Sequence, residues 1–236
     1  MHHTSKPGFF PWITIFAAIA GFSLQSWLLS STDTKGLLPT SHPAGILVSL
    51  LLALTLGGCF LLLRKQTFSD QYAVQFPKSP VASLGCLAGA AALGYSGFTQ
   101  PTIGAFRYFL PVFCVAAIVC LLVIAFFRLR GLHPNYLLSA AVTFYLLLRL
   151  VMCCRTWGTE PQLPLYFFPL MASVFLLLAT FFRTELHANE GNCRRFAFFN
   201  QAALFCCCLC IPSEGGLFYL LCALWMAADT CSFRQS

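Results

Sequence analysis

The chain has 236 residues, of which 58% are hydrophobic and only 9% are charged, and its formal net charge is +7. Soluble domains carry roughly 25% charged residues, so a water-soluble fold of this size would lack the polar groups to cover its surface. The basic residues stand singly or in pairs at the ends of apolar stretches, which excludes a nucleic-acid-binding surface. We therefore expect the lipid bilayer to be the main partner of the chain.

The first predicted element is the apolar stretch 9–30, which is long enough to cross a bilayer, since a spanning helix needs about 20 residues. The sequence Ala18-Ile19-Ala20 before Gly21 also resembles the cleavage site of a secretory signal peptide. The apolar stretch continues well beyond that site, which is more typical of a membrane span. We predict an uncleaved first helix, and cleavage stays open as the alternative.

Seven further apolar stretches follow, and together the eight predict an all-α bundle of about eight transmembrane helices in a single membrane domain over residues 1–236. The last two stretches are separated only by Pro212-Ser213-Glu214-Gly215-Gly216, a composition typical of a tight turn. A seven-span arrangement stays open if one of these two stretches lies in the membrane interface. The predicted spans are 9–30, 43–63, 81–98, 108–127, 134–153, 162–182, 196–211 and 216–232.

Lysine and arginine outside the spans are distributed unevenly between the two sides of the predicted bundle. The side that carries both termini holds ten of them, and the other side holds three. Because basic loops stay in the cytoplasm, we predict a multi-pass protein of the cell membrane with both termini cytoplasmic. The ten are Lys6, Arg64, Lys65, Lys78, Arg128, Arg130, Arg183, Arg194, Arg195 and Arg234, and the three are Lys35, Arg107 and Arg155.

Arg149 lies inside the fifth predicted span, toward its outer end. An arginine at mid-bilayer costs about 2.5–3.5 kcal/mol on insertion scales, so it needs either a partner or a route to water. One interpretation is an interior cation on a solute path, paired with Glu160, Glu214 or a carboxylate of the solute. The alternative is a side chain that extends to the outer headgroups.

Asp229, Asn200 and Gln201 complete the candidate solute or ion pathway. Asp229 could bind a proton or a cation, or it could be a helix-end carboxylate that reaches water near Arg64 or Arg128. The amides of Asn200 and Gln201 could contact a solute or form hydrogen bonds between helices. The sequence leaves both interpretations open for each residue.

Gly85 and Gly89 form a Gly-x-x-x-Gly motif in the third predicted span, which allows another helix to approach closely. We predict helix packing on this face, against a helix of the same chain or of a second protein.

Cys207 and Cys210 form a Cys-x-x-Cys motif, which in principle suits thiol redox chemistry or metal binding. Their surroundings are apolar, and no histidine or carboxylate lies on the same helix, so we read these cysteines as small hydrophobic residues. The histidines His42, His133 and His187 fall in predicted loops on both sides. No catalytic, metal-binding or cofactor-binding motif is present, so we expect no cofactor, no metal and no enzyme activity.

The second half of the chain resembles bacterial multi-pass membrane proteins to which no activity is assigned. The resemblance lies in residues 149–162, with the sequence Cys154-Arg155-Thr156-Trp157, and in residues 218–226, which end in Leu224-Trp225-Met226. It implies a membrane class and no particular chemistry. Three functions stay open: a small-solute transporter or permease component, a non-enzymatic subunit that binds or regulates other membrane proteins, and a membrane-embedded enzyme. The sequence favours the first only weakly.

Overall fold

The computed structural model describes residues 10–31, 43–64, 78–99, 106–157 and 166–232. These residues form eight α helices and no β strand, which confirms the predicted all-α class. The helices are α1 (Phe10–Ser30), α2 (Pro43–Arg64), α3 (Pro80–Thr99), α4 (Phe106–Arg130), α5 (Tyr136–Trp157), α6 (Phe167–His187), α7 (Cys193–Cys210) and α8 (Gly216–Ser232).

Three helices extend beyond their predicted ends by three residues or more. Helices α4, α5 and α6 continue past residues 127, 153 and 182, and the predicted start of the sixth span at residue 162 lies outside the described residues. As a result Arg128, Arg183 and His187 occupy the last turns of helices and are buried there, whereas the sequence placed them in loops. The helices can continue through these polar residues because neighbouring helices cover their side chains.

The turn predicted between the last two apolar stretches is confirmed, and it separates α7 from α8. Gly215 adopts a positive φ of 77°, a conformation that favours glycine. The backbone N–H of Ser213 donates to the carbonyl of Cys210, and that of Gly216 donates to the carbonyl of Ser213. The tract therefore forms two antiparallel helices instead of one long helix.

Six helices, α1 to α6, are long and apolar enough to cross a membrane. Helix α8 has 17 residues and rises about 25 Å, somewhat less than the thickness of a typical hydrocarbon core. Helix α7 carries Arg194, Arg195, Asn200 and Gln201, which lower its hydropathy, and most of its other side chains are buried inside the bundle. Many large apolar side chains of the other helices face outward, consistent with a membrane location.

The helices α3 to α8 form a closed ring. Each of them packs against the next along the chain, and α8 packs against α3 to complete the ring. Helix α1 lies outside the ring against α7, and α2 packs against both α1 and α7. We call the end of the ring at which α4, α6 and α8 terminate the basic end, because Arg128, Arg130 and Arg183 lie there.

The contact between α3 and α8 depends on the absence of side chains on α3. A Cβ atom on Gly89 would lie 2.7 Å from Cδ2 of Trp225, and one on Gly85 would collide with Cβ of Ala228. Real Cβ atoms essentially never approach a neighbour this closely. The Gly85/Gly89 face thus receives a helix of the same chain and seats the fully buried Trp225 ring.

Candidate functional site

Three charged side chains meet at the basic end of the ring, each from a different helix. Arg128 of α4 donates from Nη1 to Oδ1 of Asp229 in α8 at 2.7 Å. Arg183 of α6 forms an ion pair through Nη2 with Oδ2 of the same carboxylate. All three are buried, and Asp229 has no exposed surface at all. We call these three residues the basic-end cluster.

Aromatic and polar side chains surround the basic-end cluster. The Cζ atom of Arg183 lies 4.8 Å from the Trp225 ring centroid and 5.8 Å from that of Phe196. Nearby, Nδ1 of His187 is hydrogen-bonded to the hydroxyl of Ser139, which joins the end of α6 to the start of α5. Together these contacts tie α4, α5, α6 and α8 into one end of the ring.

The environment of Asp229 differs from the one that the sequence suggested. The sequence left open a proton or cation site and a helix-end carboxylate in contact with water, with Arg64 or Arg128 near it. The carboxylate is enclosed instead, Arg128 is one of its partners, and Arg183 is a second partner that the sequence did not reveal. Two features of the sequence could have indicated this second partner. A carboxylate in a predicted span requires a cation, and Arg183 directly follows the apolar pair Phe181-Phe182 at the end of another helix.

Arg149 lies on α5 inside the ring and is only 4% exposed. Its Nη1 donates to the hydroxyl of Ser173 on α6 at 3.4 Å, a long hydrogen bond. Its Cζ lies 3.7 Å from the ring centroid of Phe218 on α8, so the aromatic face covers the guanidinium on one side. We call Arg149, Ser173 and Phe218 the Arg149 site.

The Arg149 site contains no carboxylate among the described residues. The residues near Arg149 include two tyrosines, Tyr145 and Tyr219, and two cysteines, Cys153 and Cys222. Nε of Arg149 has no hydrogen-bond partner within the described ranges. The side chain is thus enclosed by α5, α6 and α8 and is not exposed at the outer surface of the bundle.

The two arginine sites are well separated along the ring. Phe218 and Asp229 lie near opposite ends of α8, and a rise of 1.5 Å per residue puts about 16 Å between them. Arg149 and Asp229 therefore do not form one site.

Asn200 and Gln201 connect α7 to α8 instead of lying beside Arg149. Nδ2 of Asn200 donates to the carbonyl of Met226 at 2.9 Å and to the hydroxyl of Thr230 at 2.8 Å. Nε2 of Gln201 donates to the same hydroxyl at 3.1 Å. Both residues are buried, and Thr230 directly follows Asp229, so these hydrogen bonds lie on the basic half of α8.

All thirteen cysteines belong to described helices, and none forms a disulfide. Cys207 and Cys210 are buried in the wall between α7 and α8. In the part of the chain that the structure describes, no group of three or more His, Cys, Asp or Glu side chains is arranged to hold a metal ion. The cysteines contribute mainly as small apolar residues of the ring interior.

Comparison with known proteins gives no relative from which a function could be transferred. No family model matches the chain, and neither a curated protein nor a solved structure is significantly similar to it.

Proposed function

We propose that the chain is a small-solute transporter or permease component that holds its solute at the Arg149 site. The observation that supports this most strongly is the burial of Arg149 inside a ring of apolar helices without a carboxylate among the described residues. Ionisable residues within membrane bundles often mark a substrate or ion path, because burying them there is costly.

The energetics of the Arg149 site support a role beyond holding helices together. Insertion of the arginine costs about 2.5–3.5 kcal/mol, and a desolvated cation–π contact returns about 2 kcal/mol of this. A long hydrogen bond to Ser173 adds little to this. A methionine or leucine would fill the same space without the cost, so the cation needs a different reason to be there.

In the same proposal the basic-end cluster closes one end of the path. The Asp229 carboxylate links α4 and α6 to α8 through two arginines, and a solute that leaves at this end would have to separate them. From the positive-inside rule we expect this end, with both termini, to face the cytoplasm. Asn200 and Gln201 hold α7 and α8 together beside the closure, and we assign them no direct contact with the solute.

The proposal is tested by the access of water to the Arg149 site. In a Ser173→Cys variant, the new thiol replaces the hydroxyl that contacts Arg149. Membrane vesicles of both orientations are treated with a charged, membrane-impermeant thiosulfonate, and mass spectrometry of peptides identifies the labelled cysteines. Native Cys154 is exposed and serves as a reactive control, whereas Cys86 in α3 is fully buried and serves as an unreactive control.

A transporter predicts that the thiol introduced at position 173 is labelled in at least one vesicle orientation, at a rate between those of the two control thiols. Absence of labelling at this position in both orientations, while Cys154 reacts, would contradict the proposal.

The alternative function is a non-enzymatic subunit that binds or regulates other membrane proteins. It is favoured by the use of interior polar groups for contacts between helices, as with Asn200, Gln201 and Thr230. A surface for a partner would have to lie elsewhere than at Gly85 and Gly89, because α8 occupies that face. An unlabelled Ser173→Cys variant in the vesicle experiment would favour this alternative.

A further inference from the structure

The hydrogen-bonding edges of the Arg149 guanidinium are used unequally. Its five N–H groups point outward in one plane, and pairs of them form forks that match two oxygen atoms. Nη1 is directed to Ser173, whose hydroxyl itself donates to the carbonyl of Pro169 at 2.9 Å. Phe218 covers a face of the group and takes no conventional hydrogen bond. The Nε side of the guanidinium thus makes no hydrogen bond to any described residue.

A buried Nε without a hydrogen-bond partner among the described residues indicates the geometry that a ligand would need. Together with Nη2 it forms a side-on fork, which accepts the two oxygens of one carboxylate through parallel charge-assisted hydrogen bonds.

The charge of the surroundings limits the charge of the ligand. Arg149 is the cation of this site, and its described neighbours include Tyr145 and Tyr219 and the thiols of Cys153 and Cys222 but no carboxylate. One negative charge on the ligand would neutralise the guanidinium. A second would be left buried without a partner, which is costly in an interior of low dielectric.

The same neighbours limit the body of the ligand. Buried cysteine thiols behave as small apolar groups, and the rings of Phe218, Tyr145 and Tyr219 add aromatic surface. On such a surface, the hydroxyl or amino groups of a strongly polar molecule would lack hydrogen-bond partners.

We propose that the Arg149 site binds a monocarboxylate whose remaining part is apolar. This inference rests on the proposed function, since it names the class of solute that the transporter would carry. Such a carboxylate can come from water, as a small aromatic or aliphatic acid, or from the bilayer, as a fatty acid. The chemistry at Arg149 is the same for both sources.

The test is equilibrium binding of radiolabelled benzoate to the full chain in phosphatidylcholine nanodiscs. Unlabelled benzoate, benzamide and decanoate are the competitors. Benzamide has the shape of benzoate without its charge, and decanoate partitions into the bilayer. The variants are Arg149→Gln, Arg149→Lys and the matched control Arg155→Gln, which removes an exposed arginine near the end of the same helix.

We expect saturable benzoate binding that benzamide displaces at least 10-fold less well than benzoate. Arg149→Gln should weaken binding at least 10-fold, Arg149→Lys should weaken it less because it keeps the charge, and Arg155→Gln should leave it unchanged. Much stronger displacement by decanoate than by unlabelled benzoate would support a carboxylate taken from the bilayer, and the reverse order would support one taken from water.

The inference is overturned if benzoate does not bind saturably, or if benzamide competes as well as benzoate. The second criterion uses the wild-type chain alone and so holds even if a variant fails to fold. Labelling of the Ser173→Cys variant in the vesicle experiment does not depend on any carboxylate. Loss of labelling therefore removes the transporter function, whereas labelling without carboxylate binding removes only this assignment of the ligand.

Discussion

Arg128 and Arg183 at the basic end of the ring and Arg149 toward the other end are enclosed to a similar degree, yet their surroundings differ. The basic-end arginines share the Asp229 carboxylate, which ties three helix ends together. Arg149 contacts a serine hydroxyl and a phenylalanine ring, and no described carboxylate lies against it. Buried arginines thus have different kinds of partner in the two regions.

The comparison separates a structural charge from one that is available to a ligand. A buried ion pair contributes little net stability, but removing one partner leaves an isolated buried charge and is strongly destabilising. Arg149 has no carboxylate partner among the described residues, so its removal leaves no buried charge behind. Its replacement by an apolar side chain should therefore be tolerated. This difference should appear as effects of graded size on the free energy of unfolding.

The largest effect is expected for Asp229→Asn, which leaves Arg128 and Arg183 facing each other without the carboxylate between them. We expect the free energy of unfolding to fall by about 3–5 kcal/mol. The measurement is unfolding by sodium dodecyl sulfate in mixed micelles. The control is Glu214→Gln, which removes an exposed carboxylate in the turn between α7 and α8 and should have no measurable effect. Equal stability of the two variants would show that the basic-end cluster does not hold the ring together.

The next effect concerns the wall against which the basic-end cluster packs. Gly89→Ala places a methyl group against the Trp225 ring, which in turn contacts Arg183. Overpacking of this kind should lower the free energy of unfolding by about 1–3 kcal/mol. Gly57→Ala in α2 is the matched control, because nothing lies within 4 Å of the position that its Cβ would take. Equal stability of Gly89→Ala and Gly57→Ala would contradict the close contact between α3 and α8.

A small effect is expected for Arg149→Met, despite the burial of Arg149. Methionine fills much of the same volume, and replacement of a buried charge by an apolar side chain is often neutral or stabilising. The free energy of unfolding should change by less than about 1 kcal/mol, or should rise. Benzoate binding to the same variant should be lost. A large loss of stability would indicate that an acidic partner neutralises Arg149 after all.

The smallest effect is expected for Tyr145→Phe, one turn from Arg149. Its hydroxyl is hydrogen-bonded to the hydroxyl of Ser96 on α3 at 3.1 Å. Such bonds between membrane helices average about 0.6 kcal/mol, so the loss should be of that order. Ser96→Ala should give a similar loss, and the double variant should lose no more than either single variant if the two groups act as a pair. Additive losses in the double variant would argue against a direct bond.

The sequence predicted the helices well because each apolar stretch and each turn has a local signal. The turn at Gly215 and the close contact at Gly85 and Gly89 follow from the residues themselves. The helix ends were less predictable, because the burial of Arg128 and Arg183 depends on a carboxylate that lies far away in the chain. A local pattern of hydropathy assigns such arginines to loops.

The surroundings of the four candidate pathway residues were predicted only in part, for the same reason. Arg149 was recognised because it interrupts an apolar span, but its position inside the ring depends on how α5, α6 and α8 meet. Asp229, Asn200 and Gln201 were grouped with it by their polarity alone. In the structure Asp229 lies on the basic half of α8 and is paired with two arginines. Asn200 and Gln201 lie on α7, and their amides donate hydrogen bonds to that half of α8.

The difference between the two regions is tested most directly by making one substitution at each of them. Arg128→Met and Arg149→Met remove the same charged group and leave the same apolar side chain, and both free energies of unfolding are measured in the same mixed micelles. We predict that Arg128→Met is less stable than Arg149→Met by about 2 kcal/mol or more, since only the former takes a partner from a buried carboxylate. Equal losses at the two positions would contradict the account.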